Sequence, residues 1–328
     1  MAPIASSAKN DIYPIRKYTY LMHYLVTGGC GFIGSHLVHT LLEMGHKVTV
    51  IDDLSSGKRQ NLLDSITPVI ADITTPGIYD TLLEGIDGCF HLAAIVSVQR
   101  SHEEWLRSHL VNLGGLVSLF EAISRRKMDI PVVFASSAAI YGNYSQLPIK
   151  ESAPCVPLSS YGVDKLSGES HARIASTIHG IPTVGLRFFN VYGPRQDASS
   201  IYSGVISVFT RLMKQHQPVT IYGDGTQLRD FVFVDDVIVA LLTAMQKMEN
   251  KGLQHAILNV CSGNMVSINN VASMIADITQ SRSVIRQIPP RPGEVHTSVG
   301  DPALCKNMLG FEASTLLKDG LKRTIMEA

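Results

Sequence analysis

The sequence predicts an α/β fold, in which a doubly wound parallel sheet is joined to a smaller α/β region. Short apolar runs alternate with segments of helical periodicity from 22 to 186, which is typical of a parallel sheet covered by helices on both faces. A glycine-rich turn stands between the first strand and the first helix. Beyond 186 the alternation loosens and prolines become frequent, which indicates a second region.

The strands of the first region are predicted from short apolar runs that are bounded by turn residues. The predicted strands are 22–26, 47–51, 68–70, 89–92 and 131–135. Helical patterns lie between them, including one that ends at Gly45 and a long one at 103–125. Since parallel strands need crossover connections, this order predicts a Rossmann-type sheet.

The second region contains shorter strands and helices. The predicted strands are 219–222, 256–260 and 284–287, and the predicted helices are 236–248 and 268–279. We therefore expect a first domain at 22–186 and a second at mainly 187–328, some of whose segments can return to the first. Residues 1–21 lack the apolar core of a signal peptide and are expected to form a loosely ordered extension.

The composition excludes several classes of protein. The 28 basic and 28 acidic residues cancel, so no nucleic-acid or anionic-membrane surface is expected, and an acidic ligand must meet local positive groups. No stretch reaches the roughly 18 apolar residues of a membrane span. The five cysteines form no C-x-x-C pair, so we expect no metal site and a reducing, cytoplasmic location.

The glycine-rich turn has the form of a phosphate-binding loop. Gly28 and Gly31 leave room for a bulky anion, and the helix that opens at Phe32 and Ile33 offers free backbone N–H groups. Gly34 allows this helix to lie close to the sheet. A strand before the turn and an acidic residue after the next strand are the context of a dinucleotide-binding domain, although a glycine-rich packing turn is the alternative.

The acidic residue is Asp52, at the end of the second predicted strand. A carboxylate there binds the adenosine ribose and repels a 2′-phosphate, which favours NAD over NADP, although Lys58 and Arg59 nearby weaken that preference. Asp72 and Ile73 follow the third strand and are expected to flank the adenine. The alternative for Asp72 is a simple turn residue.

A tyrosine, a lysine and a serine form the candidate catalytic group. Tyr161 and Lys165 are four residues apart in a predicted helix and therefore share one face. A free tyrosine has a pKa of about 10, and we expect the lysine, together with a positive nicotinamide ring, to favour the phenolate, so that Tyr161 acts as a general base. Ser137 ends the fifth strand, where it would hydrogen-bond the reacting hydroxyl.

Together these motifs resemble the extended short-chain dehydrogenase/reductases, and in particular the UDP-galactose and UDP-N-acetylglucosamine 4-epimerases. The resemblance covers residues 22 to about 325. The matching stretches are 27–34, 50–54, 91–94, 136–142, 161–165, 186–195, 222–236 and 291–294. The resemblance implies that Lys165 holds the nicotinamide ribose and that Ala93, in the 91–94 stretch, passes along the cofactor.

The resemblance also implies a UDP-sugar as the substrate. Arg229 and Arg291 lie on predicted turns, and arginine suits phosphate oxygens, so they are expected to hold the diphosphate together with Asn190. Glu294 would contact the uridine ribose. Ser97 and Ser298 would lie in the sugar pocket, where the small Ser298 side chain would leave room for an N-acetyl group.

The implied activity is reversible C4 epimerisation of a UDP-hexose with tightly bound NAD. Ala138 and Ala139 stand where nucleotide-sugar dehydratases carry an Asp-Glu pair, and the glutamate of the family's decarboxylases is also missing. The alternatives are another NAD-dependent nucleotide-sugar oxidoreductase or an epimerase acting at a different carbon. A non-catalytic NAD sensor is less consistent, because it would be expected to lose Tyr161 and Lys165.

A homodimer is the expected assembly. The predicted helices at 103–125 and 159–179 each carry a second apolar face, which includes Leu106, Leu110 and Leu113. In the resembled family such helices pair across a two-fold axis as a four-helix bundle. The alternative is that both faces are buried within one chain.

Overall fold

A computed structural model describes residues 21–198, 204–290 and 295–327. Its strands are β1 (His23–Thr27), β2 (Lys47–Asp52), β3 (Val69–Ile70), β4 (Gly88–His91), β5 (Val132–Ser137), β6 (Thr183–Phe188), β7 (Asn190–Tyr192), β8 (Val219–Tyr222), β9 (Leu228–Arg229), β10 (Phe231–Phe233), β11 (His255–Val260), β12 (Val266–Ser267), β13 (Ile285–Ile288) and β14 (Thr297–Ser298). The main sheet has the order β11-β6-β5-β4-β1-β2-β3 and is parallel throughout. This order confirms the predicted doubly wound sheet.

Helices connect the strands. They are α1 (Phe32–Glu43), α2 (Ile78–Leu82), α3 (Val98–Glu103), α4 (Trp105–His109), α5 (Gly115–Arg125), α6 (Ser160–His179), α7 (Val205–Lys214), α8 (Val234–Glu249), α9 (Ile268–Thr279), α10 (Ala303–Leu309) and α11 (Leu317–Met326). Short 3-10 turns span Arg59–Asn61 and Ala138–Tyr141, and a π-helical turn spans Leu110–Gly114.

Two apolar layers cover the main sheet because successive side chains of its buried strands point to opposite faces. Val26 packs with α1 and α8, while its neighbour Leu25 packs in the layer formed by α5 and α6. All of the β6 residues are buried, as expected for a strand covered on both faces. A third apolar cluster lies in the second region, between α7, α9 and α11.

The predicted helix at 103–125 is wrong in detail. The structure divides this stretch into α3, α4, the π-helical turn and α5. The break falls at Glu104, whose φ and ψ angles are −115° and 49°. In the π-helical turn, the Asn112 side chain bonds both the N–H and the C=O of Ile95, at 2.7 and 3.1 Å. Helical periodicity could not indicate these long-range bonds.

The second region does not form one continuous unit in the sequence. β11 pairs with β6 and becomes the edge strand of the main sheet, and α8 packs against α1 on that sheet. The remaining strands form small sheets in which β10 pairs with β7, β9 lies between β12 and β14, and β13 pairs with β8. The chain therefore leaves the first region near residue 187 and later returns to it with α8 and β11.

Some expectations lie outside the described residues. The extension up to residue 20, Arg291 and Glu294 are among them. Within the ranges that the structure describes, no helix is both long and apolar enough to span a bilayer. The same ranges contain no group of three or more His, Cys, Asp or Glu side chains arranged to hold a metal ion.

Candidate active site

A cavity of about 610 Å³ lies at the carboxyl ends of the central strands. Its walls come from the turns after β1, β2, β3 and β4, from the end of β5, from α6 and from the segment that follows β6. In open parallel sheets this is where ligands bind. All of the residues predicted to bind the cofactor line this cavity. They are Gly28, Gly31, Phe32, Ile33, Gly34, Asp52, Asp72, Ile73, Ala93, Tyr161 and Lys165.

The glycine turn forms a cradle that side chains would fill. Gly28 has a φ of 70°, which favours glycine, and a Cβ atom on Gly34 would lie 2.1 Å from the Gly28 carbonyl oxygen. Gly31 is the N-cap residue of α1 and has no side chain that could cap the helix. The first backbone N–H groups of α1 therefore have no capping partner from Gly31. These features fit the pyrophosphate of a dinucleotide.

Asp52 lines the cavity beside the glycine cradle. Its two carboxylate oxygens accept hydrogen bonds from the backbone N–H groups of Cys30 and Leu54, both at 2.9 Å. Burial raises the pKa of Asp52, although these two bonds oppose that shift. A carboxylate has about four acceptor sites, so it can also accept hydrogen bonds from ribose hydroxyls. Lys58, which weakened the preference for NAD, pairs with Asp197 at 3.3 Å.

Arg107 is a cavity residue that the sequence did not reveal. Its guanidinium donates to Asp72 at 2.5 Å and lies 3.7 Å from Asp53. Burial opposes the charge on Asp72, but hydrogen bonds from Thr74 and from Arg107 bring the pKa of this carboxyl below its ordinary value. Asp72 is therefore more than a turn residue. No local motif marks Arg107, because it reaches the cavity from α4, far away in the sequence.

Thr27 fixes the backbone that passes along the cofactor cradle. Its hydroxyl accepts hydrogen bonds from the N–H groups of Leu92 and Ala93, both at 3.1 Å. A Cβ atom on Gly28 would lie 2.8 Å from the Ala93 nitrogen, so this contact also requires glycine. His91 is buried beside Thr27, and burial lowers its pKa to about 3. The imidazole is therefore neutral at pH 7 and supports the strand end.

Ser137, Tyr161 and Lys165 meet at the end of β5. Ser137 lies close enough to Tyr161 for its hydroxyl to favour the phenolate, and both residues line the cavity. The Lys165 ammonium lies 5.7 Å from the centre of the tyrosine ring and donates to the Ala135 carbonyl at 2.9 Å. The Ser159 hydroxyl caps α6 by accepting from the Gly162 N–H, so the helix begins at the point that brings Tyr161 to the cavity.

The expected lowering of the tyrosine pKa by Lys165 is not produced by the protein's own groups. Burial raises the pKa of Tyr161 to about 12, and the hydrogen bond from Ser137 only partly opposes this shift. Burial also lowers the pKa of Lys165 to about 8, opposed by Asp164. The low-polarity surroundings disfavour both charges, which the spacing of the two residues alone could not indicate.

The residues predicted to bind the substrate are divided between two places. Ser97 lines the cavity and caps α3 by accepting from the Arg100 N–H at 3.0 Å. Asn190, Arg229 and Ser298 are absent from the described part of the cavity wall. Ser298 pairs in register with Arg229 across β14 and β9, and the Asn190 amide donates to the Asp230 carbonyl at 3.0 Å. Asn190 therefore lies one residue before Val191 of the cavity wall, while Arg229 and Ser298 lie on β9 and β14, which do not contribute to the described cavity wall.

Arg195 is a further cation on the cavity wall that was not among the predicted site residues. It has a φ of 64°, and its guanidinium lies 3.3 Å from the Ser35 hydroxyl, directly after the glycine cradle. It belongs to the 186–195 stretch on which the family resemblance rests, so the motif contained a signal for it. Asp236, in the first turn of α8, accepts hydrogen bonds from the backbone N–H groups of Ser314 and Thr315.

The chain is similar to known proteins along most of its length. A family model described as "NAD dependent epimerase/dehydratase family" matches residues 24–261. A putative UDP-glucose 4-epimerase of Methanocaldococcus jannaschii is 36% identical over 304 residues, which cover 92% of this chain and 96% of that protein. A UDP-N-acetyl-alpha-D-glucosaminuronate decarboxylase of Bacillus cytotoxicus is 32% identical, with 92% and 96% covered.

Solved structures show the same architecture. The UDP-glucose 4-epimerase of Thermotoga maritima, solved with UDP-glucose, has a TM-score of 0.89 and 36% identity, with 93% of this chain and 98% of that chain covered. The UDP-N-acetylglucosamine 4-epimerase of Methanobrevibacter ruminantium, solved with UDP-N-acetylmuramic acid, has a TM-score of 0.88 and 33% identity, with 94% and 98% covered. The predicted cofactor, NAD, agrees with the matched family. This chain belongs to the NAD-dependent epimerase/dehydratase family.

Proposed function

We propose that this protein catalyses the reversible C4 epimerisation of a UDP-hexose through a transient 4-keto sugar. The observation that carries the proposal is the Ser137–Tyr161–Lys165 group on the cavity wall, with Ala138 and Ala139 directly after the serine. An elimination would need an acid at these two positions. The epimerases among the relatives and structural neighbours support the same reaction.

NAD, when bound in the cradle, supplies the hydride acceptor at C4 and later the hydride donor. The protein's own residues transfer the proton and orient the sugar. Tyr161 takes the proton of the C4 hydroxyl as it becomes a carbonyl and returns a proton when the hydroxyl forms again. Ser137 holds the same oxygen by a hydrogen bond, and Lys165 supplies positive charge beside the phenol. Epimerisation requires that the 4-keto sugar present its other face while its diphosphate stays bound.

The diphosphate is proposed to contact Asn190 and Arg229, with Arg291 and Glu294 completing the nucleotide site. The chain has no net charge, so local cations must neutralise the phosphates. Arg229 donates to the His296 carbonyl at 3.1 Å, on the segment that leads to Ser298. One arginine thus lies beside the strand that carries the proposed sugar wall.

We propose that N-acetylated UDP-hexoses are among the substrates. Ser298 occupies β14 beside Arg229, and a serine there leaves space that a large side chain would fill. The Methanobrevibacter neighbour acts on UDP-N-acetylglucosamine, which agrees with this breadth. The sequence and the geometry support both UDP-glucose and UDP-N-acetylglucosamine as starting substrates for assay.

Decarboxylation of a UDP-sugar acid is the alternative that the Bacillus cytotoxicus relative favours. This reaction also begins with oxidation at C4, so Tyr161 and Lys165 would serve it equally well. It differs in its need for a carboxylate on the sugar and in its release of carbon dioxide. The glutamate that the family's decarboxylases carry is missing here, which favours epimerisation, and the substrate consumed decides between the two activities.

We also propose a homodimer and a division of labour between the two regions. Residues 22–186 would bind NAD, and residues 187–328, apart from the segments that return to the main sheet, would bind the UDP-sugar. Apolar side chains on α4 and α6 are exposed at the surface, including Trp105 at 69% and Leu106 and Ile178 at 71%. An exposed apolar surface of this kind is typical of an interface.

The test is product analysis with four UDP-sugars, namely UDP-glucose, UDP-galactose and their N-acetylated counterparts. We expect interconversion within each pair without net formation of NADH. Tyr161→Phe should keep bound NAD and lose activity by on the order of 10²–10⁴-fold. Tyr144→Phe is the matched control, because the hydroxyl of this half-buried tyrosine donates to the Gln146 side chain at 3.0 Å, and Tyr144 does not line the described cavity wall; the variant should retain full activity.

Three results would overturn the proposed function. They are near-normal turnover by Tyr161→Phe, a stable 4-keto-6-deoxy product, or net NADH production. Release of carbon dioxide from a UDP-uronic acid, with no epimerisation of the hexoses, would establish the alternative.

A further inference from the structure

A buried ion pair lies directly behind the proposed catalytic group. The Arg187 guanidinium donates to both carboxylate oxygens of Glu169, through Nε at 2.9 Å and Nη2 at 2.7 Å. The side chains of Arg187 and Glu169 are only 7% and 6% exposed. Burying two charges costs free energy, and a protein with apolar side chains of similar size in their place is often equally stable. Stability alone therefore does not account for the pair.

The helix register links this pair to the catalytic residues. Tyr161, Lys165 and Glu169 are spaced four residues apart on α6, so they form one row on the face turned toward the strand ends. All three are buried. Glu169 is thus the third member of a row whose first two members are the proposed base and its cation.

The strand register links the pair to the serine. Ser136 and Arg187 are directly paired on β5 and β6, and Ser137 follows Ser136. The Ser136 hydroxyl donates to Glu169 at 2.5 Å, so the carboxylate connects α6 directly to the residue before Ser137. The ion pair therefore connects α6, which carries Tyr161, to the end of β5, which carries Ser137, and so fixes the position of one residue relative to the other.

The network continues toward the second region. Arg187 donates to the Tyr141 hydroxyl at 2.7 Å, which donates to the Asn259 side chain at 2.6 Å. Asn259 in turn donates to the Ile149 carbonyl at 2.9 Å. Ile149 bonds the backbone on both sides of Gly300, two residues after Ser298.

We propose that Glu169 and Arg187 form a positioning pair for catalysis, which holds the Ser137 hydroxyl against the Tyr161 phenol by fixing α6 to the end of β5. Neither residue lines the described part of the cavity wall, so they act through Ser136 and the row on α6. The proposal rests on the proposed function for its catalytic meaning. Its geometric claim concerns only the Ser137–Tyr161 contact and can be tested separately.

Two variants separate positioning from stability. Ser136→Ala removes the bond between the pair and β5 but keeps both charges paired. Glu169→Leu with Arg187→Met replaces both charges by apolar side chains of similar size, which is often tolerated, whereas removal of one partner alone leaves a buried charge. Tyr24→Phe is the matched control, because it removes the hydrogen bond from Tyr24 on β1 to Glu249 on α8, away from the catalytic group.

The primary measurement is an ultraviolet titration of the NAD-loaded protein, corrected by subtracting the same variant that also carries Tyr161→Phe. This difference isolates one phenol. The Ser137 hydrogen bond lowers the pKa of Tyr161, so loss of positioning should raise it. We expect a rise of roughly one unit in Ser136→Ala and in the double variant, and no change in Tyr24→Phe.

The second measurement separates effects on kcat from effects on KM. Both variants should lose on the order of tenfold in kcat with KM nearly unchanged, because the contact acts in the transition state. An unchanged tyrosine titration in Ser136→Ala would overturn the proposal even if the double variant does not fold. A wild type that converts no UDP-sugar would refute the proposed function, while the titration would still decide whether the pair positions Tyr161.

Discussion

Tyr161 shows how much the surroundings of one residue decide its chemistry. Its pKa of about 12 in the protein reflects burial, and Lys165, also buried, has a pKa of about 8. A site that disfavours both charges responds strongly to any further charge that enters it. The phenol is therefore poised to change its protonation when a cationic ring binds, rather than being permanently ionised.

Ser298 is the residue at which we expect a substitution to alter substrate breadth. Replacement by tyrosine should obstruct the space proposed for the N-acetyl group, because the added ring cannot be accommodated without displacing the substrate. We expect kcat/KM for the N-acetylated pair to fall by at least roughly 100-fold, with a much smaller loss for the plain hexoses. The measurement is kcat/KM for both substrate pairs.

Thr297→Tyr is the matched control for this experiment. Successive side chains of a strand point to opposite faces, so the same bulk one residue earlier on β14 should leave the N-acetylated substrates accepted. The pocket assignment is wrong if the wild type rejects N-acetylated sugars or if Ser298→Tyr turns them over normally.

Single residues also show where inference from the sequence ended. Gly28, Gly34 and Asp52 could be placed at the cavity because their roles depend on local backbone and on a fixed position after a strand. Arg107 could not, since it reaches Asp72 from α4, 35 residues further along the chain. Burial raises the pKa of Tyr161 in the protein alone, and burial depends on the whole fold.

Among the elements, the contact between β1 and α8 contains a carboxyl that titrates near neutral pH. The Tyr24 hydroxyl donates to Glu249 at 2.6 Å. Burial raises the pKa of Glu249 from 4.5 to about 7, although this hydrogen bond opposes the shift. The folded state therefore holds a proton that the unfolded state releases at lower pH. Its contribution to stability is complete below about pH 4.5 and is lost as the pH rises through 7.

Glu249→Gln should remove this dependence on pH. Glutamine stays neutral and still accepts the Tyr24 hydrogen bond, so the variant should be more stable than the wild type by about 1–3 kcal/mol at pH 8 and nearly equal at pH 5. Urea unfolding at the two pH values measures this difference. Glu312→Gln, on an exposed carboxylate, is the control and should show no such change. An equal effect of Glu249→Gln at both pH values would contradict the assignment.

The elements themselves were predictable to different degrees. The strand predicted at 22–26 is observed as β1, one residue later, because a buried apolar run stopped by glycine determines a strand locally. The helix predicted at 103–125 is interrupted because Asn112 bonds the Ile95 backbone from within the π-helical turn. Such a bond depends on the approach of two segments and leaves no mark in the periodicity.

At the scale of the whole molecule, α4 and α6 pack side by side, and each carries exposed apolar side chains. We expect this surface to form the dimer contact. Leu106→Glu with Ile178→Glu should convert the dimer to a monomer, because each change would bury a charge in an apolar interface. Light scattering at micromolar concentration measures the mass.

The control for assembly is Leu316→Glu, since Leu316 is similarly exposed at 72% but lies outside α4 and α6. It should leave the mass unchanged. A wild type that remains a monomer, or a double variant that remains a dimer, would rule out this surface as the interface.

The return of β11 to the main sheet limits how this enzyme can be divided. A chain that ended after residue 186 would stop short of the end of β6 and would lack β11 altogether, leaving β6 as an edge with unpaired N–H and C=O groups. It would also lose α8, whose apolar face covers part of the sheet, including Val26. Such a fragment should aggregate rather than bind the dinucleotide. The two regions must therefore be inherited, expressed and recombined together, and a domain exchange with another enzyme would need two crossover points instead of one.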